Sequence, residues 1–111
     1  MAKGFKFLSE EDFKDGVKSG FTLVDFHADW CGPCRMLAPV LERVAEKMSG
    51  KVTFAKIDID QAQKTAATYQ VTSIPTLILF KDGKEIARLV GLRDEEALKD
   101  FIHSAMSRVP A

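Results

Sequence analysis

The chain's only two cysteines stand two residues apart in Trp30-Cys31-Gly32-Pro33-Cys34, where a strand pattern gives way to a helix pattern. A buried strand over Phe21 to Phe26 feeds the motif and an amphipathic helix follows it. The first sulfur is therefore expected at a helix N-terminus, where unpaired N–H groups favour a thiolate. The chemistry this implies is reversible dithiol–disulfide exchange. A structural zinc site is a poor alternative, because a closed tetrahedron would need Cys31, Cys34, His27 and the remote His103 together. A purely structural disulfide across so short a loop restrains the unfolded chain weakly, and a chain of this size should not need a staple. No metal is expected.

Asp25 is the one acid in an otherwise apolar strand, upstream of Cys31. Burial there would raise its pKa and suit it to accept or donate a proton; a strand-end carboxylate that reaches water is the plainer alternative. His27 shares strand parity with Asp25 and is read as a polar ring tip facing solvent in preference to a base. Trp30 fits either half-exposed core or a partner contact beside a reactive thiol, and contact is favoured. Arg35 reads as a flanking surface charge. Gly32 and Pro33 shape the turn between the sulfurs, with Pro33 where a missing N–H costs least.

The elements that must hold these residues follow from pattern. Ser9 before Glu10, Glu11 and Asp12 predicts a capped first helix with Phe13 and Val17 on its inner face. Phe21-Thr22-Leu23-Val24-Asp25-Phe26 reads as a central strand covered on both faces. The helix after the cysteines carries Leu37, Val40, Leu41, Val44 and Met48 on one stripe and stops near Ser49-Gly50. Val52 to Asp58 predicts another strand, Thr65 to Tyr69 a short helix, and Thr76 to Phe80 a strand. The turn Asp82-Gly83 then returns Glu85 to Val90 antiparallel. Asp94-Glu95-Glu96 opens a last helix with Leu98, Phe101, Ile102 and Ala105 inward. The order βαβαβαββα implies an α/β protein with a mixed central sheet and helices on both faces.

With 111 residues, 46% of them hydrophobic, the chain can bury one sizeable core, and a single domain over 1–111 is expected. Sixteen Lys and Arg balance sixteen Asp and Glu, so overall charge argues for neither nucleic acid nor an anionic membrane as the main partner. No stretch has the length of a membrane span, and Lys3 and Lys6 flank no apolar export signal. A cytoplasmic location is expected.

Val24-Asp25-Phe26, Trp30-Cys31-Gly32-Pro33-Cys34, Pro39, Ala55-Lys56, Ile74-Pro75-Thr76, Gly83 and Gly91 together resemble the thioredoxin family over essentially the whole chain. Trp-Cys-Gly-Pro-Cys with an Ile-Pro-Thr at this distance downstream is a specific combination. The resemblance implies the thioredoxin fold and general protein disulfide reductase activity without a bound cofactor. It further implies a monomer re-reduced by the flavoenzyme thioredoxin reductase. It also implies a thiol pKa lowered by about 1.5 units, which lifts the thiolate fraction at neutral pH from about 3% to roughly half. Nucleophilicity falls with basicity, so the net gain in attack is only about threefold.

On this resemblance Cys31, at the helix start and nearer solvent, attacks, and Cys34, one turn inward, resolves. Asp25 is the buried proton acceptor for Cys34, and Lys56 its cationic neighbour, though a solvated lysine with its stem along the sheet is an equal reading of Lys56. A cis Ile74-Pro75 bond would turn the Ile74 backbone toward Cys31 for pairing with a substrate strand. Trp30, Gly32, Pro33, Ile74, Pro75 and Gly91 are the implied substrate surface. One departure stands out: His27 occupies a position where most of the family carries tryptophan. Two other functions compete. Oxidases or isomerases usually carry histidine between the cysteines, where this chain has Gly32-Pro33. An interaction subunit would need the fold but not the thiols.

Overall fold

A computed structural model describes residues 4–109. In chain order the elements are β1 (Phe5–Leu8), α1 (Phe13–Val17), β2 (Phe21–His27), α2 (Gly32–Lys47), β3 (Thr53–Asp58), α3 (Gln63–Thr68), β4 (Thr76–Lys81), β5 (Lys84–Val90) and α4 (Glu95–Ser107). The strands lie in the order β1-β3-β2-β4-β5. β3 pairs in parallel with β1 and β2, while β4 runs antiparallel to both β2 and β5. This is the mixed sheet expected from the order of elements.

The central strands are buried on both faces, so each face needs its own cover. On one face Leu37, Leu41 and Val44 of α2 join Leu98 and Ile102 of α4 over Leu23, Phe54, Leu77 and Leu79. On the other, Phe13 and Val17 of α1 pack with Val24, Phe26, Ala55, Ile57, Ile78 and Phe80. Tyr69, at the end of α3, closes an aromatic cluster with Phe13, Phe26 and Phe80, its ring centroid 5.3 Å from that of Phe80 and 6.4 Å from that of Phe26. Strand alternation thus divides β2: Val24 and Phe26 face α1, whereas Leu23, Asp25 and His27 face α2.

Local patterning misplaces two helix starts. α1 begins at Phe13, because Ser9 and Asp12 close a turn of their own: the Ser9 N–H donates to Asp12 Oδ1 at 2.7 Å and the Asp12 N–H to Ser9 Oγ at 3.3 Å. α3 begins at Gln63 without a cap from Ala62. Its first N–H groups, from Lys64 and Thr65, donate instead to the Glu10 carboxylate at 3.1 and 3.3 Å. That cap comes from the far side of two strands in sequence, so no local signal marks it. The hairpin turn is where its residues predict, with Asp82 at φ 50° and Gly83 at φ 86°.

Candidate active site

The end of β2 delivers the chain to the start of α2, and Cys31 is the helix N-cap, in extended conformation at φ −86°, ψ 110°. Pro33 sits in the first turn, where its absent N–H has no intrahelical partner to lose. The Cys34 N–H donates to Cys31 Sγ at 3.1 Å. A donor aimed at that sulfur, with the helix dipole behind it, favours thiolate over thiol. Cys31 and Cys34 are joined as a disulfide with Cα atoms 5.2 Å apart.

Exposure does not separate the two sulfurs as expected: Cys31 is 4% and Cys34 5% exposed, because Ala28, Ile59 and Ile74 pack around the pair. Surroundings separate them instead. Cys31 Sγ lies 3.9 Å from the Ile74 carbonyl oxygen, to which its thiol can donate once the disulfide is reduced. Cys34 lines a cleft of about 590 Å³ on the α2 face, together with His27, Arg35, Ala38, Glu42 and Lys56.

The loop that carries Ile74 packs against Cys31. The Ile74-Pro75 bond is cis, as the resemblance implies. The Pro75 carbonyl accepts from the Gly91 N–H at 2.9 Å, and Gly91, at φ 98°, has a backbone that a side chain would strain. Trp30 is 65% exposed, which removes the core reading, and its indole Nε1 donates to Asp60 Oδ2 at 2.8 Å. Pro33 is exposed and Gly32 and Ile74 half-buried, so backbone and apolar surface ring the disulfide. Arg35 braces this rim, with Nη1 donating to the Asp29 carbonyl at 2.9 Å.

Asp25 is 2% exposed and its Oδ1 has no hydrogen-bond partner among the described residues. Burial pushes its pKa up to about 7, with the Lys56 charge opposing. Lys56 is its register partner on β3, half-buried, with Nζ 5.4 Å from the centre of the Phe5 ring. Asp25 thus has the proton affinity of a base working near neutrality. His27 is held below the ordinary histidine value, first by burial and then by Lys56, against the pull of Asp58 and Asp29. His103 is exposed on α4.

Two acids escaped the sequence reading. Asp60 anchors Trp30, and Asp58 lies in register opposite His27. The alternation of Lys56, Asp58 and Asp60 was visible, but only strand pairing reveals what they face.

A disulfide that caps a helix, lies against a proline loop and shares its face of the sheet with a buried carboxyl defines a thiol–disulfide oxidoreductase. The comparisons agree. The family model for thioredoxin matches residues 4–104. A thioredoxin from Chlamydia pneumoniae is 56% identical over 98 residues, covering 88% of this chain and 95% of that protein. One from Chlamydia trachomatis is 55% identical over 95 residues, covering 86% and 92%. One from Staphylococcus saprophyticus is 47% identical over 95 residues, covering 86% and 91%. The chain belongs to the thioredoxin family, and its activity is that of a protein disulfide reductase. Among the described residues no helix is long and apolar enough to cross a membrane.

Proposed function

We propose that the reductase works in two exchanges, with Cys31 attacking and Cys34 resolving. The Cys31 thiolate attacks one sulfur of the substrate disulfide, forming a mixed disulfide and expelling the other substrate sulfur as a thiolate. Cys34 then attacks Cys31 Sγ, forming the Cys31–Cys34 disulfide and releasing the second substrate thiolate. Two electrons pass from the dithiol to the substrate. The Cys34 proton goes to Asp25, and Lys56 moderates how tightly Asp25 holds it. The observation that carries this order is the helix cap: the Cys34 N–H points at Cys31 Sγ, and among the described residues no hydrogen-bond donor points at Cys34 Sγ.

In this reading Trp30, Gly32, Pro33, Ile74, Pro75 and Gly91 receive the substrate. An extended substrate segment pairs with backbone at Ile74 while its disulfide faces Cys31. Thioredoxin reductase restores the dithiol. The protein acts as a single-domain monomer over 1–111 in the cytoplasm.

Trapping tests the order. Cys34→Ala attacks and stalls, leaving partner proteins attached through Cys31 on non-reducing gels. Cys31→Ala traps almost nothing. Equal trapping by both variants overturns the order. Turnover in an insulin-reduction assay coupled to a flavin reductase and NADPH tests the donor.

A further inference from the structure

On the α2 face of the sheet, register sets four titratable side chains in a square. Asp25 lies opposite Lys56, and His27 opposite Asp58. Alternate residues share a face, so Asp25 and His27 form one side and Lys56 and Asp58 the other, with edges of roughly 5 to 7 Å between Cα atoms. The square is graded in depth: Asp25 is buried, while His27, Lys56 and Asp58 are half-buried.

Two clefts open onto it. One, of about 590 Å³, reaches Cys34; the other, of about 540 Å³, reaches Asp58. Phe7, His27, Asp29 and Lys56 line both. His27 and Lys56 are therefore part of the wall, with Phe7 and Asp29, between the cleft at Cys34 and the cleft at Asp58. By register Lys56 lies beside two acids, Asp25 across the strand pair and Asp58 two positions ahead on its own strand, with its ammonium 5.4 Å from the centre of the Phe5 ring. His27 faces Asp58; burial and then Lys56 oppose its proton, while the Asp58 and Asp29 charges favour it. From α2, Arg35 and Glu42 face the first cleft; from the segment after β1, Glu11 faces the second.

We propose that His27 is a positioning residue for the release step: its proton decides whether Asp58 pairs with imidazolium or competes with Asp25 for the Lys56 ammonium. Protonated His27 neutralises Asp58 and repels Lys56, and both effects drive Lys56 toward Asp25. Asp25 then stays ionised further into acid and continues to accept the Cys34 proton. Neutral His27 leaves Asp58 to share Lys56, and Asp25 holds its proton more tightly. A tryptophan at this position can do neither. The proposal rests on Asp25 being the proton acceptor for Cys34.

Mixing the reduced protein with Ellman's reagent in a stopped-flow instrument separates the steps. Attack by Cys31 releases one thionitrobenzoate and resolution by Cys34 a second. The rate of the second phase between about pH 5 and 8 should show two inflections, one from Asp25 and a shallower one below the ordinary histidine pKa near 6.5. His27→Gln keeps a polar side chain without the proton. It should lose the shallower inflection and fall behind the native protein toward acid pH by roughly threefold, equivalent to half a pKa unit at Asp25. Asp58→Asn frees Lys56 at every pH. Its Asp25 carboxyl, followed by carbon-13 NMR in the reduced protein, should titrate lower than in the native chain.

Superimposable second-phase profiles for the native protein and His27→Gln overturn the role of His27, as does an Asp25 titration unmoved by Asp58→Asn. Asp25→Asn separates this failure from that of the underlying reading. If it leaves the second phase unchanged, Asp25 is not the acceptor and both proposals fall. If it slows that phase while His27→Gln does not alter it, only the role of His27 falls.

Discussion

A carboxyl that is 2% exposed, with one oxygen unpartnered among the described residues, opposes folding far more when it is charged than when it is neutral. Asp25 has its ordinary value of 3.8 in the unfolded chain and about 7 in the folded one, so between those values the folded state holds the extra proton. Stability from this group is therefore greatest below the unfolded value and declines as pH rises toward 7, beyond which it is flat. The full difference is on the order of 4 kcal/mol. Asp25→Asn should accordingly unfold at higher urea than the native protein at pH 8, by a few kcal/mol, with the gap closing toward pH 4. Equal gaps at both pH values would show that Asp25 is not protonated by burial. The same variant should slow mixed-disulfide release near neutrality, because the amide cannot take the Cys34 proton. Gain in stability with loss of rate at one residue is the signature of a group kept for chemistry.

Helix ends and loop corners decide where the reactive atoms lie. α2 needs no separate cap because Cys31 is the cap, so the sulfur proposed to attack is placed by the same hydrogen bond that starts the helix. α3 borrows its cap from Glu10, and Glu10→Ala should cost about 1 kcal/mol in urea unfolding while speeding hydrogen exchange at Lys64 and Thr65. Gly91 holds the proline loop through the Pro75 carbonyl. With φ at 98°, Gly91→Ala should strain that corner by roughly 1–3 kcal/mol and raise KM for a protein disulfide more than it lowers kcat. An unchanged KM would remove Gly91 from the substrate surface.

Across the whole molecule, the two faces of the sheet divide the work. The α1 face is an apolar and aromatic core around Phe26 and Phe80. The α2 face carries the site at one end and the α2–α4 packing at the other. Glu95 ties the two helices together, accepting from Arg43 Nε at 3.1 Å and pairing with Lys47. Ile102 is fully buried in that packing, away from both cysteines. Ile102→Ala should cost about 2–5 kcal/mol of stability. Because the sheet and the start of α2 are held by other contacts, kcat/KM of the folded fraction should be unchanged. A matching loss in kcat/KM would mean that α4 positions the disulfide through α2.

The sequence alone was enough for the redox chemistry, the order of elements and the family. Those properties depend on residue type and short spacing: Cys-x-x-C at a strand-to-helix junction, apolar runs of strand length, and Asp82-Gly83 at a turn. Helix starts were less legible. Ser9 looked like a cap yet closes a separate turn, and the true cap of α3 lies at Glu10. The site was legible residue by residue but not as an arrangement. Nothing in the order of letters ranks the burial of Cys31 and Cys34, or says that Trp30 is held outward by Asp60. Nor does it set His27 opposite Asp58. Register, long-range hydrogen bonds and desolvation exist only once β1, β3, β2 and β4 lie side by side, and these decide which charges face Cys34.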